Sequence, residues 1–269
     1  MSGPVDFIDK VALVTGGGQG IGAAIARRLA GSGARVFVTH LPSAGETEAA
    51  GRTVGAIRAD GGEIVAGVLE LPDQGSAAAC AAEIEKRFGR LDILVNNAGV
   101  MQRVSGLATS VDDFERCFAV NHLGIWTMTK ACLPLLRSAG AARVVNISSG
   151  AGRRGSANLP AYGASKAAAI SLTQSLAEAL APFAITVNAV CPGVLLTPMS
   201  RSFADIVPFP GRTTADNTSA MIEWSETLIP LGRMQDAEDV AHAVAFFASS
   251  GARNITGQSL NVDGGLMMN

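Results

Sequence analysis

Short runs of β-branched and apolar residues alternate along this chain with longer Ala-rich stretches. The runs are VALVT at 11–15, RVFVT at 35–39, EIVAGVL at 63–69, LDILVN at 91–96, ARVVNIS at 142–148, ITVNAV at 185–190 and SLNV at 259–262. Their length, flanking glycines and continuous apolarity predict strands covered on both faces. Between them, 20–32, 46–60, 75–88, 111–138, 161–181 and 236–249 have helical composition. Strand and helix in repeated alternation predict an α/β fold, a doubly wound and mostly parallel sheet of about seven strands with helices on both faces. No repeat or linker divides the chain, so one domain over 1–269 is expected. The rhythm breaks at 197–230, where Pro198, Pro208, Pro210 and Pro230 stand among apolar residues. A long irregular insertion of this kind predicts a lid or binding loop, with a plain surface excursion as the alternative.

Composition narrows the class. With 48% hydrophobic residues the chain has ample material for a core, and its net charge of −2 gives no sign of nucleic acid or an anionic membrane as partner. The N-terminus MSGPVDFIDK lacks the basic and apolar regions of a signal peptide, and no run is long enough for a membrane span. Cys80, Cys117, Cys132 and Cys191 form no CxxC pair, and His40, His122 and His242 no metal motif. A soluble cytoplasmic protein without a metal is the expectation.

Chemistry enters with the loop after the first strand. GGGQGIG places Gly16, Gly20 and Gly22 in a GxxxGxG spacing before a helical stretch. Such a turn lets backbone N–H groups and the positive end of a helix dipole meet a diphosphate, as in dinucleotide folds; a tight structural turn is the plainer alternative. No GK[ST] follows, which excludes a Walker A loop. The second strand ends in Thr39-His40-Leu41 with no acid for a ribose 2′-hydroxyl. Its absence admits a 2′-phosphate, for which Arg35, His40, Ser43 or Arg52 are the available partners, so NADP(H) is favoured over NAD(H).

Tyr162 is the only tyrosine, and Lys166 lies four residues beyond it in AYGASKAAAISLTQSLAEAL, on the same face of a predicted helix. A phenol near pKa 10 becomes a proton donor and acceptor at neutral pH only if a nearby cation lowers it by roughly 3 units. Alone the pair reads equally as a helix-surface contact. Ser148 and Ser149 end the fifth strand, Asn96 and Asn97 follow the fourth, and Cys191-Pro192-Gly193 follows the sixth, at the edge where open α/β sheets bind ligands.

Taken in order, TGGGQGIG at 15–22, NNAG at 96–99, Asn121 in VNHLG, Ser149 in NISSGAG, Tyr162 and Lys166 in YGASK, and CPGVLLT at 191–197 closely resemble the short-chain dehydrogenase/reductase family in its short form with one Rossmann domain. The resemblance spans almost the whole chain. It implies an NAD(P)-dependent oxidoreductase that moves a hydride between nicotinamide and a ketone or secondary alcohol. Tyr162 would be the general acid/base, Lys166 would hold the nicotinamide ribose and lower the Tyr162 pKa, Ser149 would bind the substrate oxygen, and Asn121 would support a proton-carrying water. Ser149, 13 residues before Tyr162, is the matching serine, leaving Ser148 structural. Gly16, Gln19, Gly20, Ile21, Gly22, His40, Asn97, Ala98, Gly99, Pro192, Gly193, Val194 and Thr197 would hold the cofactor. Glu70-Leu71 departs from the acid that the family often places near the adenine.

Met199, Phe203, Phe209, Met221 and Trp224 predict an apolar substrate pocket, and Arg103, Arg153 and Arg154 are candidates for an anionic substrate or carrier. A 3-oxoacyl-thioester reductase and a polyol, sugar or diol dehydrogenase remain open, and a dinucleotide-sensing binding protein stands as the non-enzyme alternative. Family likeness and the apolar C-terminal stretch imply a homotetramer.

Overall fold

The computed structural model describes residues 6–206 and 216–268. Strands β1 (Val11–Val14), β2 (Arg35–His40), β3 (Ile64–Val68), β4 (Ile93–Asn96), β5 (Arg143–Ile147), β6 (Thr186–Pro192) and β7 (Ser259–Val262) fall on the seven predicted runs. They form one sheet in the order β3-β2-β1-β4-β5-β6-β7, parallel at every pairing. The order reverses between β1 and β4, which opens a crevice beyond their C-terminal ends.

Alternation along each strand feeds two cores. Ala12, Val14, Ile93, Val95 and Val145 face α1 (Gly20–Ala30) and α9 (Ala237–Ala248) through Ile25, Leu29 and Val244. Val11, Leu13, Leu94 and Val144 pack on the other face, against α3 (Gln74–Phe88), α5 (Gly124–Ser138) and α6 (Pro160–Leu180), through Ile84, Met128 and Leu176. Each fully buried Val or Leu in these layers contributes about 2 kcal/mol. Helix α2 (Ala44–Ala59) starts from a Ser43 N-cap.

Two expectations change. The predicted helix over 111–138 is two helices, α4 (Val111–Phe118) and α5, joined by a single π-helical turn at Ala119–Leu123. Nor is the 197–230 insertion irregular throughout. It carries α7 (Pro198–Ile206) and α8 (Asn217–Leu228), with Thr197 accepting a hydrogen bond from Ser200 N at 3.1 Å at the start of α7. Pro208, Phe209 and Pro210 and the side chain of Phe203 lie outside what is described.

Candidate active site

A cavity of about 620 Å³ lies across the C-terminal ends of the central strands, within the usual range for small-molecule sites. One end is built by the β1–α1 loop. Gly16 takes φ +64°, which disfavours any residue with a Cβ, and its N–H donates to Thr39 Oγ1 at 3.2 Å. Asn97 then ties the loop to β4, its Nδ2 donating to Thr15 O and Gly16 O at 2.9 and 3.0 Å. Gln19 sits at the N-cap of α1 without capping it through its side chain, so the first N–H groups of the helix are left for a ligand. Gly16, Gln19, Gly20, Ile21, Gly22, His40, Ala98 and Gly99 line this end, with Leu41, Leu69 and Leu71 as apolar walls. An uncapped helix start beneath a glycine turn suits a diphosphate, and the apolar walls suit an adenine, so the residues present fit a nicotinamide dinucleotide.

Pro192, Gly193, Val194 and Thr197 carry the lining on from β6, and Ser149, Tyr162 and Lys166 meet in the middle. Tyr162 and Lys166 share one face of α6, with Lys166 Nζ 5.8 Å from the Tyr162 ring centroid. The ammonium donates to Ile147 O at 2.8 Å. A Cβ on Gly99 would stand 3.2 Å from Asn121 Oδ1 and 3.3 Å from Lys166 Nζ, so a larger residue there would crowd both groups. The two adjacent serines separate cleanly. Ser148 Oγ is buried and donates to Lys166 O at 2.8 Å, whereas Ser149, whose Oγ accepts from Ala151 N at 3.1 Å, lines the cavity with Tyr162.

Burial pushes the Tyr162 phenol up to about 12, with the Ser149 hydrogen bond acting the other way. Burial also brings the Lys166 ammonium down to about 8. The phenol is therefore held protonated at neutral pH while Lys166 stays largely charged.

Asn121 does not line the cavity. It is fully buried in the π-turn, where Oδ1 accepts from Val100 N at 2.8 Å and Nδ2 donates to Val100 O and Ser165 Oγ, both at 2.9 Å. Of the expected substrate wall, Met199 and Trp224 line the cavity, but Met221 packs with Ala204 and Ala220 in a small separate core. Arg103 is paired with Asp113 at 2.9 Å, and Arg153 reaches Asn261 and Ser259 of β7; only Arg154 of the three lines the cavity.

Sequence reading missed Gln102. Helix α6 begins Leu159-Pro160 with no side-chain cap of its own. The buried carboxamide of Gln102 supplies one from a distance, its Oε1 accepting from Ala161 N and Tyr162 N at 3.1 Å each. Its Nε2 donates to Val104 O, Thr109 Oγ1 and Asn158 O. The only trace in the sequence is the absence of Ser, Thr, Asp or Asn immediately before Pro160.

Comparison with known proteins agrees with this geometry. A family model described as enoyl-(acyl carrier protein) reductase matches residues 16–267. A Streptomyces virginiae protein, described as a candidate ketoacyl reductase of the monensin polyketide synthase, is 38% identical over 263 residues, covering 96% of this chain and 97% of its own. The sorbitol dehydrogenase of Cereibacter sphaeroides is 36% identical over 264 residues, or 96% of this chain and 98% of that one. Among solved structures, an actinorhodin polyketide ketoreductase variant with NADPH superposes with a TM-score of 0.86 at 34% identity, covering 96% and 97% of the two chains.

Proposed function

The chain belongs to the short-chain dehydrogenase/reductase family, and from that premise we propose that it works as a carbonyl reductase with Tyr162 as its proton donor. It is an NAD(P)-dependent oxidoreductase acting on a keto or secondary alcohol group, as its relatives are. The carrying observation is the buried phenol in the middle of the cavity, with Ser149 on the same lining and the Lys166 ammonium 5.8 Å from its ring. Bound in this cavity, the dinucleotide supplies the hydride that a ketone takes up. The protein's part is proton delivery and placement. Tyr162 passes its hydroxyl proton to the carbonyl oxygen as negative charge builds there, and Ser149 offers that oxygen a second hydroxyl. Lys166 stabilises the phenolate left behind. Asn121 keeps Val100, and with it the chain after β4, in register with α6.

Tyr162→Phe keeps the ring and removes the proton. Turnover of a ketone panel is expected to fall at least ~100-fold while dinucleotide still quenches or enhances in a fluorescence titration. Near-normal turnover overturns the assignment, and loss of binding without turnover in the parent protein points to the sensor reading instead.

The substrate end favours an oxoacyl thioester. Met199, Trp224 and Leu228 give it an apolar wall from the 197–230 lid, and Arg154 stands exposed at its rim for an anionic carrier. A polyol dehydrogenase is the second reading, since a sorbitol dehydrogenase is among the relatives. Acetoacetyl-CoA against sorbitol and fructose separates them. The choice of dinucleotide is pulled two ways: the acid missing from the end of β2 admits the 2′-phosphate of NADP(H), yet among the described residues no Lys or Arg lines that end of the cavity. A cytoplasmic homotetramer completes the proposal. No helix of the described residues is long and apolar enough to cross a membrane.

A further inference from the structure

The residues available for a 2′-phosphate are engaged elsewhere. Thr39 Oγ1 is buried and accepts from Gly16 N. His40 Nδ1 donates to Leu41 O at 2.8 Å, which takes up that ring nitrogen. Ser43 Oγ accepts from Glu46 N at 3.3 Å as the α2 cap. Arg52 is ion-paired to Glu48 at 2.6 Å. Arg35 begins β2, at the sheet edge away from the cavity, and stacks on Phe88.

What does line this end is a carboxylate. Glu46, in the first turn of α2, faces the cavity together with Gln19, whose Nε2 donates to Glu46 Oε1 at 3.0 Å. We infer that Glu46, held by Gln19, takes the place of the acid missing from the end of β2, and that the chain binds NAD(H) in preference to NADP(H). A carboxylate accepts hydrogen bonds from ribose hydroxyls. A 2′-phosphate brings only acceptors and about two negative charges to the same place. At a few ångströms in partly screened surroundings that repulsion amounts to about tenfold or more in affinity. The cations that line the cavity, Lys166 and Arg154, come from α6 and the chain after β5, on the far side of β1 and β4 from β2.

The inference rests on the cavity being a dinucleotide site, and its test reports on both. Nicotinamide fluorescence is titrated with NADH and with NADPH on the parent protein, on Glu46→Gln and on Glu46→Arg, with circular dichroism to check folding. NADH is expected to bind at least about tenfold more tightly than NADPH to the parent. Glu46→Gln should bring the two dissociation constants within a few-fold of each other, and Glu46→Arg should reverse their order. A parent that prefers NADPH, or a ratio unmoved by Glu46→Gln, overturns the inference and leaves the reductase reading standing. Folded protein that binds neither dinucleotide overturns both.

Discussion

Lys166 shows what a catalytic side chain costs the fold that carries it. Its ammonium is 4% exposed and has Ile147 O as its protein partner. Its folded pKa of about 8 lies below the ordinary 10.5, so folding favours the neutral form. The penalty is therefore full below pH 8, shrinks as the pH climbs, and is gone above about 10.5. At neutral pH it amounts to about 3 kcal/mol. Lys166→Met, which fills the same volume without the charge, is expected to raise the unfolding free energy by up to that amount at pH 7, and by progressively less between pH 8 and 10.5. Urea melts at several pH values measure this directly. The same variant should lose dinucleotide affinity in a fluorescence titration. Unchanged stability at pH 7 would mean that the ammonium is better compensated than its surroundings show. Tyr162 runs the other way: its raised pKa leaves stability intact below pH 10 and erodes it only between 10 and about 12.

Elements decide where such residues point, and α6 is the case in hand. Pro160 at its first turn has no N–H to satisfy, Gln102 takes the N–H groups of Ala161 and Tyr162, and Gly163 N reaches Leu159 O at 2.9 Å. All the donors that a helix start leaves open are thus closed, and the catalytic tyrosine is fixed at one of them. Gln102→Met removes the bonds to Ala161 N and Tyr162 N at nearly constant volume. It is expected to cost about 2–4 kcal/mol of stability and to lower kcat about tenfold or more through misplacement of Tyr162. Dinucleotide affinity should stay close to the parent value. A loss of stability with kcat untouched would show Gln102 to be a structural residue only. None of this was legible in a linear reading, because the cap comes from some sixty residues upstream. The strands, by contrast, were legible to within a residue or two: the central ones are buried on both faces and read as apolar runs, while the edge strands β3 and β7, only partly buried, are still bounded by Gly and polar residues. The break in 111–138 was hidden for the opposite reason. The composition stays helical through Ala119–Leu123, and what distorts the turn is Asn121 reaching across to Val100.

The whole molecule leaves apolar surface that its own chain does not cover. On α5 the buried positions Ile125, Met128, Thr129, Cys132 and Leu136 face the core, while Trp126, 46% exposed, continues a face begun by Leu123, 48% exposed. A second region lies at one end of the sheet order, where the edge strand β7 carries exposed Leu260, and Leu231 and Met268 stand out around Gly264 and Gly265. A closed dimer needs one self-complementary surface, whereas a tetramer with dihedral symmetry needs at least two. Two separate apolar regions on one chain therefore support the tetramer over the dimer. They also make a sharper forecast than the oligomeric number alone. Charges placed on one surface should undo one interface and spare the other, so Leu123→Glu with Trp126→Glu is expected to convert the tetramer into a dimer, not a monomer. Sedimentation velocity at micromolar concentration reads the outcome. A parent protein that sediments as a monomer overturns the tetramer, and a double variant that falls straight to monomer shows that α5 supports both contacts. Leu123 closes the same π-turn that holds Asn121, so charging this face also tests whether assembly steadies the site: a dimer with undiminished kcat would show that each subunit is complete on its own.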